Sequence, residues 1–437
     1  MNSSRFIYKL YFFLLPFGTL FNAFSEDIGI WHYFKASDIV MFVGLFSLLS
    51  KPEIRIFSKG TSKWLRLALF MIAYTTMCAF IAQLTWGDIN GDSPTKVISH
   101  RVFFVGTFLC TISYNYYCYK NFISFRDLIP ILKVQSVILL FVGLMQYFAL
   151  SGVGIALALT EVLSRIFSIR GPEYLLAVDK GITLFGNEPS SVAILCLWII
   201  PFIFFYAYYT RRKIYILQAF LWAFLFFNSG SSSNLISFLT MVLCLIFVIL
   251  GRQIPKIMYI GAFFIGLAMA LVYAHGDLGR VEVQGERNEI SYIIYGKLFD
   301  VSNNGSTAVR ASTVANNIKV FEEFPFTGIG DGLQGYRFNQ NAPDWVRENI
   351  YTQEMLSGEM GLIGGGGSFF AAYLSGYGLL GFIVLCMFIQ AYRRDWYLIN
   401  NDFLIKNIFS VAMVIFLYSA WYTMGLSSIL ADRKSVV

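Results

Sequence analysis

The chain has 437 residues, 57% hydrophobic and 14% charged, with a formal net charge of +7 and a mean hydropathy of +0.62. Soluble domains carry about 25% charged residues, so this composition excludes an ordinary soluble enzyme, a disordered chain and a disulfide scaffold. It leaves an all-α polytopic membrane protein. In chain order the apolar runs predict about eleven spanning helices, at 7–24, 38–50, 65–84, 102–119, 133–150, 190–209, 214–228, 235–250, 258–274, 369–391 and 408–429, with a twelfth left open. The second and seventh are short. The first lacks a small-residue cleavage site and holds Pro16 inside its apolar run, so it reads as a span rather than a cleaved signal. The chain reads as one transmembrane helical domain over 1–437.

Lysine and arginine in the short loops set the orientation. Lys51, Arg55, Lys59, Lys63 and Arg66 share one side with Lys120, Arg126, Arg211, Arg212, Lys213, Arg252, Lys256, Arg393, Arg394 and Lys406. That side is read as cytoplasmic, and Arg5 and Lys9 put the N-terminus there too. Opposite short loops carry Glu26, Asp27, Asp88 and Asp92, against Lys35, Lys96 and Arg101. The basic balance is therefore a topology signal and implies no nucleic-acid partner. The six cysteines, Cys78, Cys110, Cys118, Cys196, Cys244 and Cys386, lie in or beside apolar runs and form no CxxC or Cys/His cluster, so no metal site is expected.

Two outside loops are long, 151–189 and 275–367. Long structured loops on a rigid scaffold usually carry function. The first holds Arg165, Arg170, Glu173, Asp179, Lys180 and Glu188 and ends Asn187-Glu188-Pro189-Ser190. Pro189 suits the first turn of the sixth span. Glu188 reads either as an acid favoured beside a helix N-terminus or as a carboxylate held at the mouth of the bundle. The second loop contains an amphipathic stretch over 307–324, with Val314, Ile318 and Phe321 on one face and Arg310 and Asn317 on another. Pro325 should end that helix. The Gly328-Ile329-Gly330-Asp331-Gly332 run reads as a tight turn directing the chain back to the membrane. It is no nucleotide loop, because no strand precedes it.

A guanidinium binds phosphate through a planar, always-charged fork. The outside arginines available for this are Arg101, Arg165, Arg170, Arg280, Arg287, Arg310, Arg337 and Arg347.

Residues 306–338, STAVRASTVANNIKVFEEFPFTGIGDGLQGYRF, resemble the signature of the O-antigen polymerase and ligase superfamily. The pattern is an arginine helix, an acidic-aromatic-Pro step and a Gly-Ile-Gly turn. Arg170 and Gly181 match the R-x10-G pattern of Wzy-type polymerases, whereas from Arg310 the next glycine is Gly328. The Asn187–Ser190 segment is similar to a recurrent polymerase feature. Residues 231–234 resemble the family's Ser-Arg helix start, with Asn234 where arginine is common. Ligases usually carry a histidine before a run like YLSGYGLLGF at 373–382. The corresponding position is near Gly367, and the three histidines, His32, His100 and His275, lie elsewhere. That favours the polymerase branch.

The resemblance implies a GT-C-like or ligase-like bundle in a bacterial inner membrane, working at its periplasmic face. It implies an inverting, metal-independent glycosyl transfer without a cofactor. Donor and acceptor would both be glycans on undecaprenyl pyrophosphate, with a chain-length regulator and a flippase as neighbours. Arg170 and Arg310 are the expected donors to the leaving diphosphate, with Arg101, Lys180 and Asn317 as further substrate contacts. Glu188 is the expected base, with Asp179 and Glu354 as alternatives. The competing readings are a ligase acting on lipid A core, a GT-C enzyme using Glu26-Asp27, and a flippase of lipid-linked oligosaccharide. A flippase should place its charges inside the spans, and here they concentrate in the outside loops.

Overall fold

The computed structural model describes residues 2–17, 36–50, 61–86, 94–167, 181–185, 189–229, 235–250, 254–276, 299–302, 305–330, 333–357 and 368–399, with single residues 278, 411 and 414. The described residues are helical or irregular, and no strand occurs among them. In chain order the principal helices are α1 (Asn2–Leu14), α2 (Ala36–Leu49), α3 (Thr61–Trp86), α4 (Pro94–Asn121), α5 (Phe125–Leu150) and α6 (Gly154–Phe167). They continue with α7 (Pro189–Thr210), α8 (Lys213–Asn228), α9 (Leu235–Ile249), α10 (Lys256–His275), α11 (Gly305–Glu323) and α12 (Phe369–Ile399).

Three stretches are long and apolar enough to cross a membrane: Arg126–Leu150, Lys256–His275 and Phe369–Ala391. Shorter apolar helices include Ala36–Leu48, Arg66–Cys78, Leu195–Tyr208, Lys213–Asn228 and Phe238–Ile249. Large apolar side chains such as Phe141, Phe220 and Ile257 are exposed on these helices, as suits a chain associated with a membrane. The eleventh expected span, 408–429, falls almost wholly outside the described residues.

The chain divides into two compact units. The first comprises Met1–Ile56, Cys110–Arg252 and Leu398–Ala412. Here α5 is the hub, because its buried polar side chains each hold another segment. Gln135 donates from Nε2 to the carbonyls of Phe12 (2.7 Å) and Phe13 (2.9 Å) at the end of α1. Neither carbonyl receives an i+4 amide, Phe12 O taking only a 3.4 Å bond from Leu15 N–H, and without water an unsatisfied carbonyl is costly. Among the described residues of the first expected span the helix ends at Leu14, and residues 18–24 lie outside them. Pro16 disfavours helical geometry in the residue before it, and Gln135 satisfies the carbonyls this leaves. Ser136 accepts from Gln218 Nε2 (2.8 Å) and Trp222 Nε1 (2.9 Å) on α8. Arg5 of α1 pairs with Asp127 at the start of α5. Between α1, α2 and α4 the rings of Tyr8, Tyr11 and Tyr114 pack tilted or edge-on beside Asn115, which accepts from Tyr8 Oη at 2.6 Å. Gly44 makes room there, since a Cβ would lie 2.1 Å from Tyr114 Oη.

The second unit comprises Phe57–Leu109, Gln253–Tyr397 and Met413–Val437. Its α10 buries Ala262, Gly266, Ala270 and Ala274, a stripe at four-residue spacing, and packs against α11. Small residues at that spacing let helix backbones approach closely. The sequence predicted α11 as amphipathic; it is instead buried almost all round. Ala308, Ala311, Val314, Ala315, Ile318 and Val320 are buried, and so are Thr307, Ser312, Thr313, Asn316 and Asn317. The apolar count on one face understated burial because the other faces carry small and short polar side chains, which close packing accommodates.

Candidate functional site

α12 is broken. Gly378 has φ 63° and ψ −167° within an otherwise helical run. The backbone groups freed by the break are taken up by Pro325–Gly330, the segment that follows α11. Leu379 N–H donates to Pro325 O (2.8 Å) and Leu380 N–H to Phe326 O (3.2 Å). In return, Ile329 N–H donates to Ser375 O (2.8 Å) and Gly330 N–H to Gly376 O (2.9 Å). Irregular backbone in an apolar setting survives only when protein satisfies it, and here two irregular segments satisfy each other.

Glycine makes this contact possible. Gly328 has φ 67°, and a Cβ on it would lie 2.4 Å from Gly376 C and Tyr377 N. A Cβ on Gly378 would lie 2.4 Å from Phe326 C and O. α3 closes the third side: Tyr74 Oη donates to Thr327 O, and Thr75 Oγ1 to Tyr377 Oη at 2.6 Å. Val320, Ile329, Leu333 and Tyr336 form a buried cluster beneath the turn. Of the run expected to turn at 328–332, Ile329 and Gly330 bond to α12, and Asp331 and Gly332 lie outside the described residues.

Asn317, which shares a face of α11 with Arg310, meets α12. Asn317 Oδ1 accepts from Ser375 Oγ at 3.3 Å. Asn317 meets Ser375 while Pro325, past the end of α11, meets Leu379, so α11 and the first half of α12 run the same way. Arg310 lies about 10 Å before Asn317, two turns back. Two turns back from Ser375 is Ser368, whose Oγ accepts the Ala371 amide at 3.1 Å and opens α12. Arg310 is half-buried and engaged, at the level two turns before Asn317.

Below that level is a buried carboxamide cluster. Asn316 Nδ2 donates to Gln334 O (2.9 Å), and Gln334 Nε2 donates to Ala372 O (3.0 Å). Asn316 Oδ1, Asn317 Nδ2 and Gln334 Oε1 are buried and have no hydrogen-bond partner among the described residues. Paired donors and acceptors of this kind match hydroxyl groups, from water or from a polyol.

Other loop arginines have structural work. Arg165 pairs with Glu161 at 2.6 Å. Arg337 bonds to Gln340 and lies 3.9 Å from Glu323. Arg347 donates to the carbonyls of Ala342 (3.1 Å) and Asn339 (2.8 Å). His275 ends α10 between Glu322 (2.6 Å from Nε2) and Lys319 (3.0 Å from Nδ1). Lys319 is two and a half turns beyond Arg310, so this trio occupies the opposite face of α11.

The first long loop is described at its two ends. α6 fills 154–167, where the sequence predicted only loop. At the other end Ile182, Thr183 and Leu184 are fully buried. Gln146 of α5 holds them: its Oε1 accepts from the amides of Thr183 (3.1 Å) and Leu184 (2.8 Å), and its Nε2 donates to Leu184 O (3.2 Å). Phe185 packs on Phe17. Arg170, Asp179, Lys180 and Glu188 lie outside the described residues, as do 231–234 and Gly367. Arg101 lies in α4 and Glu354 in the short helix Gln353–Ser357, but their side chains also fall outside the described residues. Of the expected site residues, Arg310 and Asn317 are brought together on one face.

Sequence reasoning missed Ser375, Gln334, Ser368 and Gln146. The available signal was the Gly376-Tyr377-Gly378 interruption of an apolar run, the mark of a discontinuous membrane helix. Comparison with known proteins finds no matching family model, no matching curated protein and no matching solved structure.

Proposed function

We propose that the chain is an O-antigen polymerase: a glycosyltransferase that joins undecaprenyl-pyrophosphate-linked repeat units into polysaccharide at the periplasmic face of the bacterial inner membrane. The reading includes about eleven spans, a cytoplasmic N-terminus and both long loops outside. One observation carries it. The turn at Pro325–Gly330 lies in the 306–338 segment that carries the main resemblance, and it interlocks through its backbone with the break at Gly378, in the 373–382 run that separates polymerase from ligase. That contact joins the end of α11, the helix that carries Arg310 and Asn317, to the middle of α12.

In the proposed reaction the acceptor sugar hydroxyl gives its proton to a carboxylate, for which Glu188 is the candidate. Its oxygen attacks the anomeric carbon of the donor glycan from the face opposite the pyrophosphate. The glycosidic bond forms as the carbon–oxygen bond to pyrophosphate breaks, with inversion. Arg310, with Arg170 and Arg101 in the same role, stabilises the charge on the departing diphosphate. Each such donor is worth about 3–4 kcal/mol by analogy with an oxyanion-hole donor. Lys180 and Asn317 are the proposed sugar and phosphate contacts.

The test is a null strain together with the purified protein given a lipid-linked repeat. The strain should display lipid A core capped with one repeat, and the protein should make a ladder from the repeat alone. Bare core with polymer left on the lipid carrier would instead identify a ligase.

A further inference from the structure

α5 ends in a Schellman motif. Val153 N–H donates to Phe148 O (3.0 Å) and Gly152 N–H to Ala149 O (3.0 Å), with Gly152 at φ 81°. α6 follows at once and packs against α5. Its surface falls into three sectors of about a third of the circumference each. Ala156 and Thr160 are buried in the protein. Glu161 and Arg165 form an exposed i,i+4 ion pair at 2.6 Å. Ile155, Leu159 and Val162, at i, i+4 and i+7, are 77%, 44% and 53% exposed.

We propose that α6 lies along the membrane–water boundary, its Ile155–Leu159–Val162 stripe seated in the lipid and its Glu161–Arg165 pair in water. The occupant of the stripe is the bilayer leaflet at the end of α5 remote from Arg126. Continuity makes that choice. α5 exposes Val134, Val137, Phe141 and Phe148 along its length, and Val153 carries the exposed apolar surface through the link to Ile155. This rests on α5 being a span, which its length and hydropathy support.

The alternatives conflict with the pattern. Full immersion would put an exposed Glu161 and Arg165 into hydrocarbon, where charges are expensive. Standing free in water would leave three large aliphatic side chains in one open row. A helix with a strongly apolar stripe beside a charged edge is the form that settles at an interface. α6 would then fix the height at which the first long loop leaves the membrane.

The test uses the full-length protein in phosphatidylethanolamine–phosphatidylglycerol nanodiscs. A photoreactive benzoylphenylalanine replaces Phe141, Leu159, Glu161 or Val162 in turn, all exposed positions, and only monodisperse preparations are illuminated. Intact mass then identifies the adduct. The proposal expects phospholipid adducts at 141, 159 and 162, and several-fold less at 161. Equal lipid labelling at 161 and 159 overturns it in favour of immersion. Chain–chain adducts at 159 and 162 overturn it in favour of a second copy of the chain. Lipid labelling at 141 alone overturns the interfacial helix but keeps α5 as a span, and no lipid adduct at any position overturns both.

Discussion

The amide of Leu379 donates to the carbonyl of Pro325 at 2.8 Å, so the break in the last described helix is closed by the turn that follows the arginine helix. Disturbing either partner should disturb the other.

Gly328→Ala and Gly378→Ala should each destabilise the protein severely. Each adds a Cβ 2.4 Å from backbone atoms at a positive φ, and the left-handed conformation alone costs about 1–2 kcal/mol for an L-residue. Gly261 on α10 has nothing within 4 Å of its missing Cβ. Gly261→Ala should be neutral or stabilising by up to about 1 kcal/mol through helix propensity. Thermal unfolding in detergent checks all three, and an unchanged melt for Gly378→Ala would remove the interlock as a structural constraint.

Gln146→Leu should release Gly181–Phe185. It strands two amides and a carbonyl that Gln146 now satisfies, at about 1–3 kcal/mol for each buried group left bare. Limited proteolysis should gain a cut near residues 181–185 while α5 and α8 stay intact. Gln135→Leu, which uncaps α1 instead, should not open that site.

Arg310→Lys should impair polymerisation nearly as much as Arg310→Ala, because lysine keeps the charge and loses the planar fork. Loss of one preorganised donor corresponds to about a hundredfold or more in rate. Polymer length is read at matched membrane abundance. A normal ladder from Arg310→Ala removes this residue from the mechanism, and the same comparison at Arg170 tests the first loop independently.

The orientation is checked by cysteine labelling. Ser168→Cys and Asn303→Cys, one in each long loop, should react with a membrane-impermeant reagent in intact spheroplasts. Reaction only after lysis would reverse the topology read from the Lys/Arg alternation.

Composition alone determined that this chain is helical and suited to a membrane, because 20-residue apolar runs have few other uses. Spacing placed Arg310 and Asn317 on one face of a helix and marked Pro325 as its end, since the 3.6-residue period and the proline ring act locally. Tertiary structure decided the rest. Pro16 acts locally near the end of α1, but Gln135, far along the chain, satisfies the carbonyls left there. α12 tolerates its break because Pro325–Gly330 supplies the missing partners. α11 is buried on nearly every side because close packing takes in alanine, serine and asparagine as readily as leucine. In the first two a backbone group finds its partner far away in sequence, and where water is excluded that demand is strong.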